Sequence, residues 1–185
     1  MARVLIPLAE GCEELEAVTI IDLLRRAEIE VTAAALSGLH VKCSRGVQLV
    51  ADCLLEDVLN DDYDMIVLPG GVGGANNLDD DQRIHQLINK MAANGGFTAA
   101  ICAAPKVLAN AGVLNNRKAT SYPGFIDKMT LPDTTVVAEP VVTDDKVITS
   151  RGPGTAMDFA LELIEKLQGK EKRDAVEKPL MRPNQ

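Results

Sequence analysis

Aromatic residues are scarce: three Phe, two Tyr and no Trp in 185 residues. The core must therefore be aliphatic, and no stacking platform for nucleic-acid bases is available. Histidine is almost as rare, with only His40 and His85. Neither follows or adjoins Cys102, so a Cys–His dyad of the papain or amidotransferase kind is disfavoured, leaving only spatial approach by His85. The four cysteines, at 12, 43, 53 and 102, form no CxxC pair and do not cluster with histidine. That spacing does not make a zinc site, and no metal is expected. In a reducing compartment all four should be free thiols.

Positive charge is in deficit, with a formal net charge of -8 and a pI of about 4.8. An acidic surface repels phosphate backbones and anionic lipid, which disfavours nucleic acid as a primary partner. No apolar run approaches the roughly 20 residues that span a bilayer, so no membrane association is expected. The opening Met1–Leu8 stretch is too short for a signal h-region and runs into Glu10, Glu13 and Glu14. The expected location is the cytosol.

What is present suits one globular domain. The residues are 46% hydrophobic and 25% charged, and a chain of this length rarely splits into several cores. Apolar strand-like runs fall at Arg3–Leu8, Glu30–Leu36, Tyr63–Leu68 and Phe97–Ile101, with later ones at Thr134–Val142 and Lys146–Thr149. Between them lie helical patterns at Glu13–Ala27, Asp80–Asn94, Pro105–Ala111 and Met157–Gln168, and a short helix is expected over Leu54–Leu59. Val41–Ser44 and Val47–Val50 read as a hairpin around Arg45-Gly46. Strands alternating with helices predict a mainly parallel, doubly wound α/β sheet. Residues 1–169 are read as the domain, and 170–185 as a charged tail or short docked helix.

The chemistry-bearing stretch is Ala99-Ala100-Ile101-Cys102-Ala103-Ala104-Pro105. A buried strand ends at a thiol and a helix starts at once, with small residues two positions either side. This is the small-x-nucleophile-x-small pattern of a nucleophile elbow, with alanine where glycine is commoner. The small neighbours allow a strained central backbone, and helix N–H groups behind the sulfur should lower the thiol pKa. At the carboxyl ends of the strands the elbow would meet two other loops, Ala9–Glu16 and Pro69–Gly74. N–H groups of the Gly70-Gly71 turn and of Ala103 are candidate oxyanion donors. The first loop offers Glu13, Glu14 and Glu16 as acid–base partners, and helical geometry alone does not choose among them.

Five stretches carry a resemblance: Glu13–Val18, Cys43–Val47, Asp64–Gly71, Ala99–Pro105 and Thr149–Thr155. Together they resemble the ThiJ/PfpI superfamily, most closely its Parkinsonism-associated protein deglycase branch and the bacterial YajL-like proteins within it. The resemblance implies a flavodoxin-like sandwich and a homodimer. It assigns the reactive thiol to Cys102, its carboxyl partner to Glu16 and backbone donors to Gly71 and Ala103, and it puts Arg45 near the site and the subunit contact. Where some members carry a histidine, this chain has Tyr122, a poor base because a phenol titrates near 10. The peptidase-like branch has histidine directly after the cysteine; here that residue is Ala103, which disfavours peptidase function.

The function so implied is a glyoxalase or protein deglycase that needs no cofactor and acts on small dicarbonyls or glycated proteins. The alternative is a redox-sensing chaperone in which Cys102 is oxidised to a sulfinate held by protonated Glu16.

Overall fold

The computed structural model describes residues 1–183. Eleven strands alternate with six α-helices along these residues. The first half runs β1 (Arg3–Leu8), α1 (Glu14–Arg26), β2 (Glu30–Ala35), β3 (His40–Lys42), β4 (Gln48–Val50), β5 (Cys53–Leu54), β6 (Met65–Leu68), α2 (Val72–Asp80) and α3 (Gln82–Ala93). The second half runs β7 (Phe97–Ile101), α4 (Pro105–Asn110), β8 (Lys118–Ala119), β9 (Thr135–Val136), β10 (Val141–Asp144), β11 (Val147–Ser150), α5 (Ala156–Gln168) and α6 (Lys170–Glu177).

Seven strands form the central sheet in the order β10-β11-β7-β6-β1-β2-β5. All neighbours pair parallel except β10, which returns antiparallel beside β11 at the edge. Helices α1 and α5 pack together over one face, with α6 on α5, while α3 and α4 lie against β6 and β7 on the other, with α2 packed on both of them. Covered on both faces, β6 and β11 are buried at every position, which is why they read as continuous apolar runs. The fold is a flavodoxin-like sandwich, with a core that is aliphatic apart from the fully buried Phe159.

From β1 the chain winds outward to β2 and β5, then crosses back to β6, β7 and β11 on the other side. The winding therefore reverses between β1 and β6. A crevice at the carboxyl ends of these strands is where open α/β sheets hold ligands. The loops after β1, β6 and β7 all end there.

Several elements differ from expectation. The helix expected over Asp80–Asn94 is α3, which starts at Gln82; an unexpected helix, α2, precedes it, and Asp81 between them has extended backbone (φ -92°, ψ 109°) and caps α3 with its carboxylate, which accepts the Arg83 N–H. Helix α2 begins at Val72 inside the glycine-rich stretch, despite the poor helix propensity of glycine. The reason is packing: a Cβ on Gly74 would lie 2.5 Å from the Cys12 Cα. Leu55–Val58 is a 3₁₀ turn rather than an α-helix, after β5 joins the sheet edge. The Thr134–Val142 run divides into β9, paired with β8 in a small separate sheet, and β10. In the expected tail, α6 docks through buried Val176 and through Lys172, which pairs with Glu28. The final residues 184–185 of that tail lie outside the described residues.

Candidate active site

Cys102 sits between β7 and α4 with φ at +64°, in the left-handed region that a side chain rarely adopts. Its N–H donates to the Ser150 carbonyl (3.0 Å) and its carbonyl accepts from the Tyr122 N–H (2.8 Å). The neighbouring Ala100, Ala103 and Ala104 are fully buried, so larger side chains would have no space. The thiol is 9% exposed and opens on a cavity of about 560 Å³ that Gly71, Arg45, Tyr122 and Glu13 also line. Neither histidine lines this cavity. His85 instead bonds through Nε2 to Asp79 (2.8 Å to its carbonyl) on the helix pair.

The four acids of the first loop have four different roles. Glu10 accepts the Lys42 N–H at 3.1 Å near the surface. Glu13 caps α1 by accepting the Glu16 N–H at 2.9 Å. Glu14 accepts from the Ser44 hydroxyl (3.0 Å) and the Arg45 N–H (2.9 Å), holding the turn between β3 and β4. Burial opposes ionisation of Glu14, but these donors outweigh it and hold the carboxyl below its usual value. Glu16 alone is fully buried. Its Oε2 accepts the Gly70 N–H at 2.9 Å, and its Oε1 has no hydrogen-bond partner within 3.5 Å among the described protein donors.

Burial pushes the Glu16 carboxyl up to about 7, against the lowering effects of the Gly70 N–H and Cys102. The expectation of an acidic thiol is not met. Burial, and then the charge of Glu16, push Cys102 up to about 12, although the N–H groups of Gly71 and Ala103 act on the sulfur in the opposite direction. Two desolvated groups this close do not ionise independently. When Glu16 takes a proton, its charge no longer opposes the thiolate and only burial remains against the two N–H donors. The arrangement is a buried, electrostatically coupled thiol–carboxyl pair.

The site residues expected from the sequence thus gather at one crevice: Cys102, Gly71, Arg45 and Tyr122 on the cavity, with Ala103 and Glu16 behind it. Sequence reasoning did not single out Phe125, whose ring meets Tyr122 edge-on at 6.4 Å on the cavity wall. It also missed the approach of Cys12 to Cys43, since residues so far apart in the chain leave no local signal. Among the described residues no three His, Cys, Asp or Glu side chains converge as a metal-ligand set, and no helix is long and apolar enough to cross a membrane.

The family profile described as DJ-1/PfpI matches residues 2–166. The chain belongs to the DJ-1/PfpI family. Its DJ-1 relatives include protein dj-1beta of Drosophila melanogaster, 46% identical over 96% of this chain and 95% of the relative. The crystal structure of that fly protein superimposes with a TM-score of 0.93, covering 97% of both chains. Protein DJ-1 homolog A of Arabidopsis thaliana is 43% identical over 98% of this chain, which spans only 47% of that longer relative. A Caenorhabditis elegans relative, 40% identical over 97% of this chain and 95% of its own length, is named glutathione-independent glyoxalase DJR-1.2.

Proposed function

We propose that this DJ-1/PfpI chain is a cofactor-free, cysteine-dependent glyoxalase and protein deglycase acting on methylglyoxal, glyoxal and their adducts. The observation that carries the reading is Cys102 held at positive φ beside a buried carboxyl titrating at about 7. The glyoxalase name of the worm relative supports it.

Glu16 is the general base and Cys102 the nucleophile. Ionised Glu16 takes the Cys102 proton as the sulfur adds to the aldehyde carbon, then passes it to the oxyanion of the hemithioacetal, which the N–H groups of Gly71 and Ala103 stabilise as it forms. Ionised Glu16 removes the proton from that carbon and, now protonated, returns it to the adjacent carbon, leaving a 2-hydroxyacyl thioester. Water hydrolyses the thioester, releasing the 2-hydroxy acid and the thiol. A carboxyl titrating near neutrality serves both halves of this shuttle. Adducts on protein amines or thiols first expel the amine or thiol, which takes the carbinol proton as the aldehyde re-forms, and the aldehyde then follows the same path. Arg45 and Tyr122 shape the mouth of the cavity.

The test is lactate formation from methylglyoxal without glutathione, comparing wild type with Cys102→Ser at equal folded concentration. Wild type should turn over and the variant should fall at least about 100-fold. Equal rates at the level of buffer sink the enzyme reading. The redox-chaperone reading then takes its place, with protonated Glu16 donating an O–H from its unpaired Oε1 to an oxidised Cys102.

The proposed assembly is a homodimer. Leu15 and Val18 on the outer side of α1, and Val47 and Val50 on the hairpin, are 46–66% exposed. Val18 and Val50 line a groove of about 320 Å³ between helix and hairpin, part of a surface that a second copy would cover isologously. Sedimentation should report a dimer for wild type and a folded monomer for Val18→Asp/Val50→Asp. A wild-type monomer at micromolar concentration refutes the assembly.

A further inference from the structure

Two cysteines outside the proposed chemistry form a buried pair. Cys12, in the loop after β1, and Cys43, at the end of β3, have their sulfurs 3.5 Å apart, and both are free thiols. Their backbones are already fastened to each other. The Ser44 N–H donates to the Cys12 carbonyl (2.8 Å), and the Gly11 N–H donates to that of Lys42 (2.8 Å). Sulfurs at this separation, on braced strands, need a shift of only about 1.5 Å to reach bonding distance, within the range of side-chain rotation.

We infer that Cys12 and Cys43 are a second redox site, a dithiol that closes to an intramolecular disulfide when oxidised by a small hydroperoxide. Both residues are nearly inaccessible, which favours a small oxidant over a bulky disulfide. Burial holds both thiols above their ordinary range, and with the Cys12 S–H turned toward Cys43 the contact favours ionisation of Cys43 first. The Cys43 thiolate attacks the peroxide, breaking its O–O bond to give a sulfenic acid and releasing hydroxide, which takes the proton of Cys12. The Cys12 thiolate then attacks the Cys43 sulfur, the S–S bond forms, and hydroxide leaves. Overall, two thiols and one hydrogen peroxide give one disulfide and two waters.

The bond would tie together two walls of the Cys102 cavity. Gly11 and Glu13 flank Cys12, Ser44 and Arg45 follow Cys43, and all four line that cavity. Oxidation therefore fixes the loop whose Glu13 caps α1 just ahead of Glu16.

The first measurement is peptide mapping of Cys102→Ser protein after treatment with equimolar hydrogen peroxide, with free thiols alkylated under denaturing conditions. A linked Cys12–Cys43 peptide, abolished by dithiothreitol, is the expected result. Alkylatable Cys12 and Cys43 after the peroxide is consumed overturn the inference. A second measurement rests on the proposed glyoxalase reading: the turnover that dithiothreitol restores after mild peroxide should be at least twice as large in wild type as in Cys12→Ala. Equal recovery overturns the link between this bond and the site. An untreated protein without turnover refutes the glyoxalase reading alone, and the linked peptide still decides the disulfide.

Discussion

Replacing Glu16 by Gln will cut turnover by orders of magnitude and make the protein more stable above neutral pH. The carboxyl is fully buried, and burial raises its folded value to about 7 from an ordinary 4.5. A raised folded value means the native state holds this proton more tightly than the unfolded chain. Its stabilising contribution is complete below pH 4.5 and is lost as pH rises through about 7. The loss amounts to about 3 kcal/mol at pH 8. Cys102 does not blur this window, because its thiol is pushed up to about 12 and an unfolded thiol ionises only above about 8. Glutamine keeps an oxygen for the Gly70 N–H but carries no titrating proton. In denaturant unfolding, the variant should match wild type near pH 4 and exceed it by about 3 kcal/mol at pH 8. Loss of a positioned proton carrier should lower lactate formation about 10²–10⁴-fold. Parallel stability curves from pH 4 to 8 would refute the buried-acid account, and an active variant would remove Glu16 from the chemistry.

Glu16 also marks where sequence reasoning reached its limit. Glu13 and Glu16 both fall on the stripe that continues through Ala17, Ile20 and Leu24, so periodicity cannot separate them. The separation comes from the helix boundary. Glu13 lies outside α1 with extended backbone (φ -82°, ψ 113°) and turns its carboxylate back to the Glu16 N–H. A boundary one residue wrong is enough to hide that difference. The elbow was more legible. A strand, a thiol and a helix in immediate succession, with alanines two positions either side, allow few backbones, and the positive φ of Cys102 is the one expected. Its proton affinity was not legible, because desolvation and the opposing charge of Glu16 depend on residues distant in sequence. The sheet was readable from alternating apolar runs, whereas α2 was not, because its glycines serve close packing against Cys12 rather than helix propensity.

Gly70→Ala should damage both turnover and stability. A Cβ there would lie 2.5 Å from the Cys102 Cβ, 2.6 Å from Glu16 Oε2 and 2.8 Å from the Ile101 carbonyl oxygen. The first and last cannot swing away, and Glu16 Oε2 is buried and held by the Gly70 N–H, so the backbone at 70 must move instead. Movement loosens the bond from the Gly70 N–H to Glu16 (2.9 Å) and the one from the Glu13 N–H to the Gly70 carbonyl (2.9 Å). Overpacking of this kind costs about 1–3 kcal/mol, and a displacement of about 1 Å between reacting groups lowers turnover about 100-fold. Gly154→Ala supplies the contrast, since a Cβ there meets nothing within 4 Å. Lactate formation and thermal unfolding of the two variants should therefore diverge, with Gly154→Ala close to wild type in both. A Gly70→Ala protein with wild-type turnover would mean that the thiol and carboxyl tolerate displacement, and the proton exchange between them would lose its geometric basis.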